Sequence, residues 1–389
     1  MIKIAFNKQA TGKADVSAYG METAKKARAF HSSIPDYAPT PLRELGCLAE
    51  SLGVGGIFVK DESQRFELNA FKVLGGSFAI GSHIASLMGE DIAAMPYERM
   101  CGDEVRKALG QQTFVTATDG NHGRGVAWTA SKLGQKSVVH MPEGTASERL
   151  ENIRRLGADA NITDPTYDDC VRRAAKDAAE NGWLLVQDTS WDGYERIPGL
   201  IMQGYTTMAL EAVEQLGDKK PTHLFLQAGV GSMAAAVAAF MVNYYGEARP
   251  KIIIVEPHTA DCHYLTAAAD DGKLHLISGG MDSMMAGLCC GEPCPIAWEI
   301  LKDYADAFAS IPDSASAEAM WRLAWPVGTD PVTVSGESGA AGMGLALTLF
   351  KEENAELKKK LGIDENSVLL CFSTEGDTDK ENYKKITGK

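Results

Sequence analysis

One lysine, Lys72, lies among apolar residues where a helical pattern begins, in the segment Asn-Ala-Phe-Lys-Val-Leu-Gly-Gly at 69–76. Lysine is rarely buried without a partner, and a desolvated amine loses proton affinity and becomes nucleophilic. Such an amine can form a Schiff base with a carbonyl compound. Taken alone, the segment is more typical of a lysine extending from the edge of a helix.

A polar, glycine-containing loop follows an apolar run and reads Thr-Asp-Gly-Asn-His-Gly-Arg-Gly at 118–125. Small residues between a strand and a helix expose backbone N–H groups, which bind anions such as a carboxylate together with the helix dipole. Asn121 adds a neutral donor. His122 by itself is more often structural than catalytic.

A second glycine loop, Gln-Ala-Gly-Val-Gly-Ser-Met-Ala at 227–234, also follows an apolar run and opens a helical pattern. Its position predicts a phosphate-binding turn. Gly229, Gly231 and Ala234 also fit the dinucleotide fingerprint, with Glu256 where a ribose-binding acid would lie. The motif alone leaves three interpretations open: NAD binding, another phosphate ligand, or an ordinary turn.

Further polar side chains follow predicted strands. Ser373 and Thr374 end the run at 368–373, and the carboxyl ends of strands face the ligand crevice of an open α/β sheet. Asp188 follows another run, and Glu337 lies in a glycine- and serine-rich turn. Each of these acids, taken singly, is more typical of a cap or a turn.

Short apolar runs that alternate with helical patterns must position these loops. Such alternation predicts parallel sheets covered by helices on both faces. The predicted strands are Ile57–Lys60, Phe114–Thr118, Ser137–Met141, Trp183–Gln187, His223–Gln227, Ile252–Glu256 and Val368–Ser373. The predicted helices are Ser147–Leu156 with a serine cap, Tyr167–Glu180, Leu200–Gln215 and Ser338–Phe350.

Composition excludes several classes of protein. The 389 residues are 45% hydrophobic and 23% charged, which is not the composition of a disordered chain. A net charge of −14 disfavours nucleic acid and anionic membranes as partners. No C-x-x-C pair occurs, so no metal site is expected. The N-terminal residues contain no apolar h-region, so a cytoplasmic location is expected.

Taken in order, these segments resemble the fold-type II enzymes that depend on pyridoxal 5′-phosphate (PLP), the group of tryptophan synthase β chains and serine/threonine dehydratases. Thr40-Pro41-Leu42, the run Val59–Ser63 and Phe71-Lys72 resemble the N-terminal pattern of the group. The loops described above match its asparagine loop, its phosphate loop and the hydroxyl that faces the pyridine nitrogen. The likeness extends over residues 37–379.

One departure narrows the resemblance. The dehydratases have a serine pair before the Gly-Asn-His of the asparagine loop, whereas this chain has Asp119 before Gly120. With the segments at 186–191, 198–208 and 335–344, this resembles the diaminopropionate ammonia-lyase family, which converts 2,3-diaminopropionate to pyruvate and ammonia. An amine leaves only when protonated, and a partly desolvated carboxylate can pair with the β-ammonium and act as acid or base.

The resemblance implies a role for each candidate residue. Lys72 binds PLP covalently and is catalytic together with Asp119 and Asp188. The remaining cofactor contacts are Asn121, Gly229, Val230, Gly231, Ser232, Met233 and either Ser373 or Thr374. The substrate carboxylate is assigned to Thr118, Gly120 and His122.

The resemblance also implies a fold of two α/β lobes, each with a mainly parallel sheet flanked by helices, with PLP in the cleft. Residues 1–80 and 215–389 are predicted to form the large PLP-binding domain and residues 81–214 the smaller inserted domain of a homodimer. The alternatives are a serine/threonine dehydratase-type enzyme, an NAD-dependent dehydrogenase and a non-catalytic amino-acid sensor.

Overall fold

The computed structural model describes residues 1–118 and 120–389, which form two compact units. The first unit consists of Met1–Gly20, Pro39–Ala70 and Met208–Lys389, and the second of Met21–Ala38 and Phe71–Thr207. These bounds differ from the predicted division because residues 21–38 and 71–80 belong to the second unit and residues 208–214 to the first. The assignment of a PLP-binding domain and an inserted domain stays a prediction.

Eleven strands are present in the described part of the chain, and they form two sheets. The strands are β1 (Lys3–Phe6), β2 (Leu42–Glu44), β3 (Gly56–Asp61), β4 (Thr113–Ala117), β5 (Lys136–Pro142), β6 (Asp159–Asp164), β7 (Leu184–Leu185), β8 (His223–Gln227), β9 (Lys251–Pro257), β10 (Ala307–Ile311) and β11 (Val368–Ser373).

The first unit contains a seven-stranded sheet with the order β1-β10-β9-β8-β11-β3-β2. Only the edge strands β1 and β2 pair antiparallel with their neighbours. The central strands β8, β9 and β10 are buried along nearly their whole length, as expected for parallel strands covered on both faces. The carboxyl ends of β8 and β11 therefore lie side by side at one edge of the sheet.

The second unit contains a four-stranded parallel sheet with the order β6-β5-β4-β7. Val115 and Ala117 of β4 contribute to the apolar cluster on one face, and Val139 and Met141 of β5 to the cluster on the other. Because β4 is paired with β7, the segments that follow these two strands begin at the same edge of the sheet.

Sixteen helices occur in residues 1–118 and 120–389, together with six short 3-10 turns. The helices are α1 (Met21–Ser33), α2 (Gly46–Leu52), α3 (Val73–Leu87), α4 (Tyr97–Met100), α5 (Asp103–Leu109), α6 (Asn121–Lys132), α7 (Ser147–Arg154), α8 (Tyr167–Asn181), α9 (Arg196–Leu216), α10 (Ser232–Tyr245), α11 (Cys262–Ala269), α12 (Pro295–Tyr304), α13 (Asp313–Ala324), α14 (Ala341–Thr348), α15 (Ala355–Leu361) and α16 (Lys380–Thr387). The 3-10 turns are Ser17–Tyr19, Glu62–Glu67, Ile92–Ala94, Gly246–Ala248, Ala286–Leu288 and Glu352–Asn354.

Most predicted elements are confirmed within a few residues, and the misses have physical causes. The sequence analysis missed four strands: β1, β2, β6 and β10. Of these, β6 is an edge strand whose side chains are largely exposed and which therefore lacks an apolar pattern. The strand predicted at Trp183–Gln187 is only two residues long, because Gln187 bonds through its side chain to β4. The predicted serine cap of α7 is wrong, since Ala146 is the cap and Ser147 is the first helical residue.

A fully buried network of four charges ties β3 to α9 in the first unit. Lys60 Nζ donates to Glu211 Oε2 at 2.7 Å, and Arg65 donates to both oxygens of Glu211 at 2.9 and 2.7 Å. Arg65 also bonds Glu62, and Thr40 donates its hydroxyl to Glu62. The four charged side chains are at most 1% exposed, so each charge depends on the others for stabilisation.

Among the residues that the structure describes, no helix is both long enough and apolar enough to span a membrane.

Candidate active site

The side chains of Lys72 and Asp188 form a close pair within the second unit. Lys72 is the N-cap residue of α3, and its Nζ donates to Asp188 Oδ2 at 2.5 Å. The Asp188 side chain is 3% exposed and that of Lys72 is 19% exposed, so the lysine retains access to solvent. Two of the three residues predicted to be catalytic therefore lie together, although they are 116 positions apart in the chain.

The surroundings of Asp188 keep its carboxylate ionised. Burial by itself would raise its pKa, but the charges of Lys72 and His122 and the hydrogen bonds from Lys72 and Tyr167 outweigh burial. The pKa of Asp188 is consequently held well below its usual range. The site thus presents a carboxylate that can hold a cationic amine.

Two residues that the sequence analysis did not select hold the second oxygen of Asp188. Tyr167 donates its hydroxyl to Asp188 Oδ1 at 3.2 Å, and Gln187 Nε2 donates to the same Tyr167 oxygen at 2.7 Å. Gln187 Oε1 in turn accepts from Thr116 Oγ1 and from the backbone N–H of Ala117. The sequence shows Gln187 directly before Asp188. No sequence pattern indicated that Gln187 bonds to Thr116 and Ala117 of β4.

Gly125 allows the first turn of α6 to approach the backbone beside Lys72. A Cβ atom at this position would lie 2.8 Å from Val73 Cα and 3.3 Å from the carbonyl carbon of Lys72. Such distances are too short for any other residue, so this glycine fixes how closely α6 and α3 pack. The ring of Tyr205 in α9 contacts the ring of Phe71, next to Lys72, with centroids 4.8 Å apart.

The loop that follows β4 is held together by its own side chains. Thr118 Oγ1 accepts from the backbone N–H of Gly120 at 2.9 Å, and His122 Nε2 donates to the carbonyl of Val186 at 2.8 Å. Asn121 is the first residue of α6. The assignment of Thr118, Gly120 and His122 to the substrate carboxylate, and of Asn121 to the cofactor, stays a prediction. Asp119 lies outside the described residues.

The second glycine loop in the first unit has the form of a phosphate cradle. Gly231 has a φ of +96° and is the N-cap residue of α10, and no side chain caps that helix. The loop also contains Gly229 and Val230, and the helix continues with Ser232 and Met233. The backbone N–H groups and the dipole at the start of a 14-residue helix suit an anion.

Gln227 links this cradle to the loop that follows β11. Its Nε2 donates to Thr374 Oγ1 and to the carbonyl of Phe372, both at 2.8 Å. Ser373 donates its hydroxyl to Ser335 Oγ at 2.7 Å. The predicted phosphate loop and the predicted hydroxyl pair are therefore neighbours in the first unit.

The carboxylate of Glu256, which the dinucleotide interpretation assigned to a ribose, is engaged in hydrogen bonds within the protein. Its Oε1 accepts from the backbone N–H of His263 at 2.9 Å and from His263 Nδ1 at 2.7 Å. Its Oε2 accepts from the backbone N–H of Tyr264 at 2.7 Å. The carboxylate thus caps α11, which removes one of the two features that supported a dinucleotide in the sequence.

The described residues fit PLP by the chemistry of their side chains. The second unit supplies a partly exposed lysine amine beside a carboxylate. The first unit supplies a glycine-lined helix start for a phosphate and a pair of hydroxyl groups. Each unit therefore contains groups of a kind that PLP requires.

Comparisons with known proteins agree with this fit. The model of the pyridoxal-phosphate dependent enzyme family matches residues 34–372. The diaminopropionate ammonia-lyase of Salmonella typhimurium is 47% identical over 395 residues, covering 99% of this chain and 98% of the relative.

Two crystal structures of the Escherichia coli diaminopropionate ammonia lyase are similar over the whole chain. The holo form has a TM-score of 0.93 and 45% identity, covering 99% of this chain and 96% of the other. The complex with an aminoacrylate-PLP azomethine reaction intermediate has a TM-score of 0.91 and 45% identity with the same coverage.

Proposed function

The chain belongs to the diaminopropionate ammonia-lyase family of pyridoxal-phosphate-dependent enzymes, and we propose that it eliminates ammonia from 2,3-diaminopropionate to give pyruvate and ammonia. Membership confirms the predicted family, the type II α/β fold and the cofactor. The observation that carries the proposed chemistry is the pair formed by Lys72 and Asp188.

In this proposal, the candidate site residues of the second unit hold charges, donate hydrogen bonds or transfer protons. When bound, PLP supplies an electron sink for negative charge at the substrate Cα. Lys72 binds the cofactor through its amine, and Lys72 or Asp119 takes the proton from Cα, each from its own face of the substrate. Asp188 holds the Lys72 ammonium before that amine is engaged, and afterwards presents Oδ2 to the β-ammonium of the substrate. Asn121 donates to the O3′ of the cofactor.

The first unit binds the remaining parts of the cofactor in this proposal. Gly229 to Met233 hold the phosphate. Of the two hydroxyl groups, Thr374 is the better donor to the pyridine nitrogen, because its oxygen accepts from Gln227 and its hydrogen is not used by any described residue. Ser373 already donates to Ser335. A neutral partner stabilises protonation of the pyridine less than a carboxylate would, which favours rapid elimination.

The decisive experiment removes the lysine amine. Lys72→Ala should lower pyruvate formation from diaminopropionate by about 10³-fold or more and alter the absorption of bound PLP. Lys176→Ala is the matched control, because Lys176 lies 69% exposed on α8 of the same unit. Comparable turnover by Lys72→Ala and Lys176→Ala would refute the assignment.

A substrate comparison separates this proposal from a dehydratase. Asp119→Asn should reduce the rate with diaminopropionate much more than the rate with serine, because only the first substrate carries a β-ammonium. Equal losses with both substrates would argue against a role for Asp119 at the β-amine. A wild-type rate that is higher with serine would favour the dehydratase alternative.

We also propose that the enzyme is a homodimer, as the family resemblance implied, and that it is cytoplasmic. The net charge of −14, which disfavours anionic membranes as partners, supports this location. Sedimentation of the purified protein measures the mass of the assembly, and cell fractionation checks the location. A monomer at micromolar concentration would contradict the first part of this proposal.

A further inference from the structure

A cavity of about 560 Å³ lies in the first unit. Three segments of the chain form its walls: residues 9–14 after β1, residues 266–274 in α11 and the turn that follows it, and α12. None of the candidate active-site residues lines it. The volume lies within the range of pockets that bind small molecules, about 300–1,000 Å³.

One face of α12 forms the first wall of this cavity. Pro295, Trp298 and Lys302 are three or four positions apart, so they lie on the same side of the helix. Trp298 is only 8% exposed, and its ring packs against the ring of Phe308 with centroids 5.4 Å apart. This wall is therefore held in place by the core of the unit.

Hydrogen bonds fasten the N-terminal wall to the end of α12. Asp303 accepts a hydrogen bond from the Thr11 hydroxyl at 2.9 Å. It also accepts from the backbone N–H groups of Lys13 at 3.0 Å and Ala14 at 2.6 Å. Burial raises the pKa of Asp303, but these hydrogen bonds outweigh burial and keep its pKa below the usual range. The carboxylate of Asp303 is thus ionised and already engaged by the protein.

The turn after α11, which forms the third wall, is fastened in a similar way. Thr266 Oγ1 accepts from the backbone N–H of His275 at 2.9 Å and donates to the carbonyl of Cys262 at 2.8 Å. Gln9 Nε2 donates to Asp270 Oδ1 at 2.8 Å, which joins this turn to the N-terminal wall. Because the three walls are joined to one another, a ligand would require little ordering of the protein.

Each wall contributes one lysine to the lining, and these are Lys13, Lys273 and Lys302. Lys302 forms an ion pair with Glu299 at 2.6 Å. In the part of the chain that the structure describes, the side chains of Lys13 and Lys273 form no ion pair. Two ammonium groups of the lining can therefore contact a ligand, in a chain whose net charge is −14.

The acids that line the cavity or flank its lysines already have partners. Asp303 holds the N-terminal wall, and Glu299 pairs with the lysine of α12. Asp271 accepts from the backbone N–H of Lys273 at 3.0 Å, and its carboxylate is 3.1 Å from His275 Nε2. A cationic ligand would have to displace these partners, whereas an anionic ligand would gain new ones.

We propose that this cavity is a second small-molecule site, which binds a small organic anion. Lys13 and Lys273 would contact its carboxylate or phosphate group, and its apolar body would pack against Leu274, Pro295 and Trp298. Leu274 is 39% exposed, so it can be covered by a ligand. Pockets for small molecules combine apolar surface with a few charged groups that fix the orientation of the ligand. This ligand takes no part in the proposed elimination, because no proposed catalytic residue lines the cavity.

The test titrates three naphthyl compounds into the PLP-loaded enzyme by calorimetry. Naphthylacetate carries a carboxylate, naphthyl phosphate carries a phosphate, and naphthylacetamide is neutral. At least one of the two anions should bind at one site per chain and about 10-fold more tightly than the amide. Its affinity should fall as salt is added, because salt screens the lysine charges. The anion that binds more tightly identifies the preferred charged group.

Two pairs of variants locate the binding. Lys273→Gln should weaken the anion about 3- to 10-fold, whereas Lys8→Gln should leave its affinity nearly unchanged, because Lys8 is 79% exposed and does not line the cavity. Leu274→Ser should weaken it by a similar factor, about 3- to 10-fold, through the loss of apolar surface. Leu276→Ser is its control, because Leu276 is 56% exposed and lies outside the cavity. All four side chains are exposed, so none of these variants disturbs the core.

Weaker binding by Lys273→Gln and Leu274→Ser, with both controls unchanged, supports the inference. Binding that all four variants leave unchanged would lie elsewhere on the protein and would overturn it. Equal affinity for the amide and the anions would also overturn it, and so would a lack of binding by both anions at millimolar concentration. None of these results depends on the turnover of diaminopropionate, so failure of this inference is distinguishable from failure of the proposed function.

Discussion

Replacing Glu211 with glutamine should destabilise the first unit strongly, because it removes one charge from a buried network. Glu211 accepts hydrogen bonds from Lys60 at 2.7 Å and from Arg65 at 2.9 and 2.7 Å. Glutamine has nearly the same shape, so the substitution changes charge far more than packing. It leaves two buried cations facing the single carboxylate of Glu62.

The magnitude follows from the burial of these groups. Removing one partner of a buried ion pair costs about 3–5 kcal/mol, because the remaining charge stays desolvated. The amide oxygen of glutamine still accepts one hydrogen bond, so the lower end, about 3 kcal/mol, is expected. That value corresponds to an increase of roughly 100-fold in the unfolding equilibrium constant.

Equilibrium unfolding in urea measures the effect directly, with tryptophan fluorescence and circular dichroism followed on the same samples. Glu318→Gln is the control, because Glu318 forms a 2.5 Å pair with Lys351 at the surface, where both side chains are more than 40% exposed. That control should lose less than about 1 kcal/mol.

A double variant distinguishes charge balance from packing. Lys60→Met combined with Glu211→Gln removes one cation and one anion, and should be more stable than Glu211→Gln alone. The reasoning is wrong if Glu211→Gln unfolds at the same urea concentration as Glu318→Gln. It is equally wrong if the double variant is less stable than the single one.

Four further outcomes are expected. The pKa of Glu211 is about 2, because its cationic partners outweigh the raising effect of burial, whereas its pKa in the unfolded chain is 4.5. The free energy of unfolding should therefore fall as the pH falls from 4.5 towards 2, and it should fall more steeply in wild type than in Glu211→Gln. Tyr167→Phe should lower kcat/KM about tenfold by releasing Asp188 Oδ1, with the urea midpoint nearly unchanged, and an unaltered rate would exclude a positioning role. Gly125→Ala should destabilise the protein by about 1–3 kcal/mol in urea unfolding, because the methyl group meets backbone, and a neutral effect would contradict the close approach. The Tyr205 hydroxyl has no partner among the described residues, so Tyr205→Phe should not lower the stability of cofactor-free protein in a thermal melt, and a loss above about 1 kcal/mol would reveal a partner.

The sequence by itself determined the local units of the site. The strand, glycine turn and helix around Gly229 were predictable because a buried strand needs continuous apolar residues and a left-handed turn needs glycine. The same holds for the loop after β4 and for the hydroxyl groups after β11. Parallel pairing then requires the loops within one sheet to emerge at the same edge, but the strand order, which the structure provides, determines which of them are neighbours.

Only the tertiary structure decided which charged groups meet. Lys72 and Asp188, 116 positions apart, are paired because β7 lies beside β4 and because Gly125 lets α6 approach α3. The partners of Asp188 and the buried network around Glu211 depend on the same long-range order of strands and helices. No local pattern encodes that order. The residues around a carboxylate in the sequence do not show whether it caps a turn or holds a buried cation. The charge of each acid is therefore readable from the sequence, whereas its partner is a property of the fold.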